Sequence, residues 1–146
     1  MGWSTGKRIA VATAIAGTLD IAMASIDALS KGGTATGMLG GVASGPFPGA
    51  SEWTAAPIAG LVVHFVIMAV IATVFIVARD RIALLRAYPI SSAALYGLGV
   101  WLVMYGVVLH QRFGIPFPSG KPIEIAKQLF AHVVLVGVPI GVIARK

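Results

Sequence analysis

Hydrophobic residues fall into four long runs that short polar segments separate. The runs cover residues 9–29, 57–78, 90–109 and 125–144. A helix rises about 1.5 Å per residue, so about 20 apolar residues are enough to cross the hydrocarbon core of a bilayer. The pattern therefore predicts an all-α protein in which residues 1–146 form a single integral membrane domain, a four-transmembrane-helix bundle.

The composition supports a membrane protein. Hydrophobic residues make up 58% of the chain and charged residues only 11%, whereas soluble domains carry about 25% charged residues. The net charge is +6, but seven of the basic residues lie just outside the hydrophobic runs: Lys7, Arg8, Arg79, Arg81, Arg86, Arg145 and Lys146. This placement is typical of topology signals at an anionic membrane face. We expect the lipid bilayer as a partner, and no nucleic acid.

The same basic residues predict the orientation of the bundle. Placing the seven on the cytoplasmic side leaves four on the outer side, namely Lys31, Arg112, Lys121 and Lys127. The positive-inside rule then predicts that both termini are cytoplasmic, in a multi-pass protein of the bacterial inner (cytoplasmic) membrane.

Two carboxylates interrupt the first run. Asp20 and Asp27 lie seven residues apart and therefore on one face of the helix. A carboxylate near the centre of a membrane helix costs about 2.5–3.5 kcal/mol, and each Leu, Ile or Val returns only about 0.3–0.6 kcal/mol. Both side chains must therefore face protein or water rather than lipid.

The helical rise places imidazoles at a similar depth. Asp20 lies about 18 Å in from Arg8, while His64 and His132 each lie about 10–13 Å in from the outer ends of their helices. All three reach nearly the same level in the outer half of the bundle, and Asp27 lies nearer the outer surface. The sequence thus predicts a buried polar cluster of Asp20, Asp27, His64 and His132.

Three interpretations of this cluster remain open. Its members can hydrogen-bond to one another and fix the register of the helices. His64 and His132 can instead bind a cofactor, either a b-type haem or a metal ion, although we expect neither cofactor nor metal as the default. The third interpretation is a protonatable relay from Asp27 through the imidazoles to Asp20, which would serve a proton or solute.

Residues 30–56 form a long, Gly-rich outer loop between the first and second transmembrane helices. Loops of this length are commonly functional or disordered. Residues 34–44 can form a short interfacial or re-entrant helix. The loop is then either a flexible linker or a docked segment that contacts a partner or lipid.

Small residues mark packing faces in the third and fourth helices. Gly137 and Gly141 have the spacing that lets membrane helices approach closely, and Gly97 favours the same in the third helix. Such faces also invite partner subunits.

No motif of a known enzyme is found. The chain has no Cys, which excludes disulfides, iron–sulfur clusters and covalent c-type haem. The zinc-protease HExxH motif and the phosphate-binding loop are absent, and Gly2-Trp3-Ser4-Thr5-Gly6, which has the letters of the GxSxG nucleophile elbow, does not follow a predicted strand as that elbow requires. We therefore expect a non-catalytic protein.

Short segments resemble a family of small, uncharacterised bacterial inner-membrane proteins with four helices. The segments are Gly17-Thr18-Leu19-Asp20, residues 61–65, residues 95–98, and His132 with residues 137–140. The family looks Leu-Pro-Leu-Ser-like after the third helix, where this chain reads Val108-Leu109-His110-Gln111, so no role for His110 follows from the resemblance. The resemblance implies a fold and a membrane, and no activity.

The sequence as a whole favours an accessory or stabilising subunit of a larger bacterial membrane complex, respiratory or photosynthetic, with other integral membrane subunits as partners. A four-helix bundle offers little interior, and its small-residue faces invite neighbours. The alternative is a b-type haem-binding membrane protein or a small proton or solute pathway that uses Asp20, His64 and His132.

Overall fold

The computed structural model describes residues 2–146, and within them 81% of the protein is helical and no strand occurs. Six helices follow one another along the chain: α1 (Thr5–Ser30), α2 (Ala35–Ala43), α3 (Ala56–Arg81), α4 (Ala83–Ala87), α5 (Pro89–Phe113) and α6 (Pro122–Ala144). A single 3₁₀ turn, Ala50–Glu52, lies between α2 and α3.

Helices α1, α3, α5 and α6 are long and apolar enough to cross a membrane. This confirms the prediction of an all-α protein with four membrane-length helices. Each helix extends beyond the hydrophobic run that predicts it, because polar residues at its ends continue the helix. Prolines begin α5 and α6, where the fixed backbone angle of proline suits the first helical turn.

Both termini lie at one end of the bundle, which we call the terminal end. The Trp3 amide donates a hydrogen bond to the Lys146 carbonyl oxygen at 3.0 Å. The buried Arg8 guanidinium holds the two oxygens of Asp80 at 2.6 and 2.9 Å and also donates to the Ala144 carbonyl oxygen at 3.0 Å. One arginine of α1 therefore ties α3 and α6 together at this end.

Glycines bring α5 and α6 into backbone contact. A Cβ atom on Gly137 would lie 2.5 Å from the Ala93 carbonyl oxygen, and one on Gly97 would overlap the His132 carbonyl. Gly141 approaches α5 in the same way one turn further along. The small-residue face predicted on α6 is therefore used inside the chain, against α5.

The Gly-rich segment between α1 and α3 is docked on its own bundle. The Leu39 backbone of α2 packs directly against Gly60 of α3. A Cβ atom at residue 60 would overlap the Leu39 carbonyl group. The Arg112 guanidinium at the end of α5 donates to the carbonyl oxygens of Ser44 and Gly45 at 2.8 and 2.9 Å. The segment therefore has α3 and α5 of its own chain as neighbours, whereas its contact with a partner or lipid stays a prediction.

The half of the bundle nearest the termini is filled by apolar side chains. Its fully buried members include Ala12, Ala16, Ala72, Ile76 and Ile140. The Tyr96 hydroxyl also donates to the Ile71 carbonyl oxygen at 3.0 Å, which links α5 to α3. The other half of the bundle is open and holds a cavity that is lined by three carboxylates and three lysines.

Candidate functional site

A cavity of about 910 Å³ lies between α1, α5 and α6 at the end opposite the termini. We call this the cavity end of the bundle. The titratable side chains that line the cavity are Asp20, Asp27, Lys31, Tyr105, Lys121, Glu124, Lys127 and His132. Methionine, alanine, isoleucine and proline side chains complete the walls. The cavity thus combines charged groups with apolar surface, as binding pockets for small molecules do.

Asp20 lies at the deep end of this cavity. Its side chain is 20% exposed, and it lines the cavity rather than an outer face of α1. Within residues 2–146, no side-chain or backbone donor lies within hydrogen-bonding distance of its carboxylate, and its one charged neighbour is His64. The carboxylate therefore depends on whatever fills the cavity for its hydrogen bonds.

His64 lies behind Asp20 and is buried, with 7% of its surface exposed. Its Nε2 atom is 2.9 Å from the Gly17 carbonyl oxygen. A carbonyl oxygen only accepts, so Nε2 carries the proton and donates. The other ring nitrogen, Nδ1, lies 4.0 Å from Asp20 Oδ2. His64 is not among the residues that line the cavity.

His132 and Tyr105 face each other across the cavity from α6 and α5. Their ring centroids are 5.7 Å apart and the rings are nearly perpendicular. The His132 Nδ1–H donates to the Gln128 carbonyl oxygen at 3.0 Å, and the Gln128 side chain accepts from the Trp101 indole at 3.1 Å. These contacts fix the His132 ring while its Nε2 has no partner among the described residues.

Both rings lie on π-helical segments, Met104–Leu109 within α5 and Phe130–Gly137 within α6. The wider π turn is rare in proteins and is found most often at functional sites. Two such segments beside one cavity therefore mark this place as the candidate site. Runs of apolar residues give no sign of a π turn, so the sequence does not predict it.

Four charges close the upper part of the cavity, and we call them the mouth network: Asp27, Lys31, Glu124 and Lys127. The Lys31 ammonium lies 2.6 Å from a carboxylate oxygen of Asp27 and 2.6 Å from one of Glu124. The Lys127 ammonium lies 2.8 Å from Asp27 and 3.3 Å from Glu124. The network is electrically neutral and joins the ends of α1 and α6.

Sequence reasoning finds Asp27 but misses the rest of the mouth network. Two ion pairs of the network could have been predicted from their spacing in the sequence. Asp27 and Lys31 are four residues apart, and Glu124 and Lys127 are three apart, as in ion pairs along a helix. Hydrogen bonds from its ammonium to Asp27 and then to Glu124 raise the pKa of Lys31 above the usual 10.5. Lys31 therefore stays charged throughout the physiological range.

The structure brings together part of the predicted polar cluster. Asp20, Asp27 and His132 line one cavity and are half-buried, whereas His64 is buried behind Asp20. His110 lies elsewhere, exposed, with its Nδ1–H donating to the Ile115 carbonyl oxygen at 2.8 Å.

Haem ligation by His64 and His132 does not fit this arrangement of side chains. The Gly17 carbonyl holds the Nε2 atom of His64, and only His132 reaches the cavity. Among residues 2–146, no group of three or more His, Asp or Glu side chains is placed to hold a metal ion. For both histidines to ligate one haem iron, His64 would have to break its hydrogen bond to the Gly17 carbonyl oxygen. Haem binding stays a prediction.

Comparison of the chain with protein-family models, with curated proteins and with solved structures found no match in any of the three. The resemblance to a family of small bacterial inner-membrane proteins therefore stays a prediction. The functional assignment rests on the cavity and on the residues around it.

Proposed function

We propose that this protein is a non-catalytic membrane protein whose cavity takes up a small polar solute from the side of the membrane opposite the termini. The observation that carries the proposal is the cavity itself, which at about 910 Å³ lies within the range of about 300–1,000 Å³ typical of small-molecule sites. Asp20 at its deep end and the rings of Tyr105 and His132 on its walls supply the polar contacts.

The cavity is closed at its deep end. Between Asp20 and the terminal end the bundle is packed with apolar side chains such as Ala16, Ala72 and Ile76. Arg8 and Asp80 then close the terminal end. This arrangement supports binding of a solute about half-way along the bundle. Passage of a solute or proton to the other side would require the helices to rearrange.

The basic residues support an outward-facing cavity. Most of the arginines lie in or next to the terminal end, including Arg8, Arg79 and Arg145. The positive-inside rule places that end in the cytoplasm of a bacterial cell. The cavity then opens to the outer face of the inner membrane.

A cysteine-accessibility experiment tests this proposal, because the chain has no Cys of its own. Met23 lines the cavity, whereas Ala16 is fully buried in the apolar half. We expect a membrane-impermeant maleimide added to intact cells to label Met23→Cys and not the control Ala16→Cys. Failure to label Met23→Cys, or labelling only after the cytoplasmic side is opened, would contradict the proposal.

A second candidate, an accessory subunit of a larger membrane complex, is favoured by a separate observation. Gly137 and Gly141 pack inside the chain, but another ridge of small residues on α1 is exposed at every position: Gly6, Ala10, Ala14, Thr18 and Ala22. Membrane helices associate most closely along ridges of this kind. The ridge therefore supports a helix of another integral membrane subunit as its neighbour.

Copurification from native membranes tests this second candidate. We expect other membrane subunits to accompany the wild-type chain in mild detergent and to be lost when Ala14→Phe fills the ridge. The control is Val70→Phe, an exposed position on α3, which should keep the partners. A lone wild-type monomer would contradict the accessory role.

A further inference from the structure

The charges of the cavity are unequally paired. Three carboxylates line it, and two of them, Asp27 and Glu124, are neutralised by Lys31 and Lys127 in the mouth network. A third lysine of the lining, Lys121, is exposed and forms no ion pair with Asp20, so among the described residues Asp20 faces the deep end of the cavity without a lysine or arginine partner.

His64 does not supply the missing donor. Its Nε2–H donates to the Gly17 carbonyl oxygen, and its Nδ1 atom lies 4.0 Å from Asp20 Oδ2, which is too far for a hydrogen bond. His64 is buried, with only 7% of its surface exposed, and it closes the side of Asp20 that faces α3. Donors to the Asp20 carboxylate must then come from the cavity.

A positively charged group is the natural partner for Asp20, and the cavity walls indicate what the rest of such a ligand is made of. The side chains of Met23, Ala24, Met38 and Ile115 give the cavity an apolar surface near Asp20, and the Tyr105 ring adds an aromatic face. A charged ammonium is stabilised both by a carboxylate and by the face of an aromatic ring. An apolar carbon chain would contact the remaining walls.

We propose that the cavity binds small primary amines, with the ammonium group donating hydrogen bonds to Asp20 and an apolar body against the methionine and alanine walls. This inference rests on the proposed function, since it names the class of solute that the cavity takes up.

Calorimetry on the purified full-length chain in detergent tests the inference with butylammonium as the probe. We expect butylammonium to bind, and 1-butanol and butyrate, which have the same carbon chain but no positive charge, to bind at least about tenfold more weakly. Tetramethylammonium carries the charge without an N–H group and should also bind more weakly. Equal binding of 1-butanol or of tetramethylammonium would overturn the inference.

Variants assign the binding to Asp20. Asp20→Asn should lower the butylammonium association constant about tenfold or more, whereas Glu52→Gln, which removes an exposed carboxylate outside the cavity, should leave it unchanged. Ala24→Leu keeps every charge and places a larger apolar side chain one helical turn from Asp20 on the cavity wall, so it should also weaken binding. Ala24→Leu decides the question if Asp20→Asn fails to fold, as judged by circular dichroism and gel filtration. Wild-type affinity in either cavity variant would overturn the inference.

The two proposals fail in different ways. If Met23→Cys is labelled from outside but butylammonium does not bind, the cavity is open to solutes and the amine class is wrong. If Met23→Cys is unreactive, the solute-binding proposal itself is wrong.

Discussion

At the scale of single residues, α1 carries buried charge in two different ways. Arg8 forms an ion pair within the protein, because the Asp80 carboxylate of α3 accepts hydrogen bonds from both terminal nitrogens of its guanidinium. Asp20, by contrast, faces a cavity and has only His64 beside it, at 4.0 Å. The first arrangement fixes the structure, and the second leaves a carboxylate free to bind something that enters.

Removal of Arg8 should destabilise the bundle. Arg8→Met leaves the Ala144 carbonyl oxygen without its side-chain donor and leaves Asp80 with only Arg79 and Thr5 as donors, each at 3.2 Å. We expect a loss of about 2–3 kcal/mol in the free energy of unfolding, somewhat below the 3–5 kcal/mol of a fully buried pair, because the Asp80 side chain is 29% exposed. Denaturant unfolding in detergent measures the loss. Arg81→Met, at an exposed position, is the charge-matched control, and an equal loss in both variants would contradict the role of Arg8.

The pairing of Lys31 predicts a pH dependence at alkaline pH. The pKa of Lys31 is raised above 10.5 by its carboxylate neighbours, so its contribution to stability is fully present below pH 10.5 and is lost as the pH rises through the higher value of the folded state. The difference in melting temperature between the wild type and Lys31→Met should be constant between about pH 6 and pH 10, where Asp27 and Glu124 are ionised, and shrink above pH 10.5. A difference that grows with alkaline pH would show that the sign is wrong.

The depth of single residues could be predicted from the sequence, and their partners only in part. The fixed rise of a helix is enough to place Asp20 and His64 at one level, and they lie 4.0 Å apart. The partners of Lys127 depend on which helices are neighbours, which a single sequence does not encode. The sequence therefore predicts Lys127 only as a basic residue of the outer side, and the structure shows that it pairs with Asp27 and Glu124.

At the scale of the elements, glycine decides which helices touch. Gly137 brings α6 against the backbone of α5 at Ala93. The spacing of the glycines predicts a close contact with another helix but does not identify that helix. A partner subunit fits the spacing as well as a helix of the same chain. The π-helical segments of α5 and α6 were not predictable at all, because the apolar pattern is the same for an α turn and a π turn.

A matched pair of alanine substitutions tests the contact between α5 and α6. Gly137→Ala places a Cβ atom 2.5 Å from the Ala93 carbonyl oxygen, whereas a Cβ atom on Gly99 meets nothing within 4 Å. We expect Gly137→Ala to lower the melting temperature because α5 and α6 must move apart, at a cost of about 1–3 kcal/mol. Gly99→Ala should be neutral or slightly stabilising, because alanine favours a helix. Equal effects of the two substitutions would mean that α5 and α6 do not pack as described.

At the scale of the whole molecule, the bundle has two unlike halves. The interior of the terminal half is apolar and is closed by Arg8, and the other half holds the cavity with its lining carboxylates and lysines. The number and length of the membrane helices followed from the hydrophobic runs, because crossing a bilayer sets a minimum length. The cavity did not follow from them, because it depends on where three helices separate.

The most direct test of the central claim asks whether the Asp20 level of α1 faces water on its inner side. Nitroxide labels are placed on Met23→Cys, which lines the cavity, and on Leu19→Cys, on the exposed face of α1, in lipid nanodiscs. The account predicts that the label at residue 23 collides more often with a water-soluble nickel complex than with oxygen, and that the label at residue 19 shows the reverse. Preference for oxygen at both positions would mean that no aqueous cavity reaches this depth.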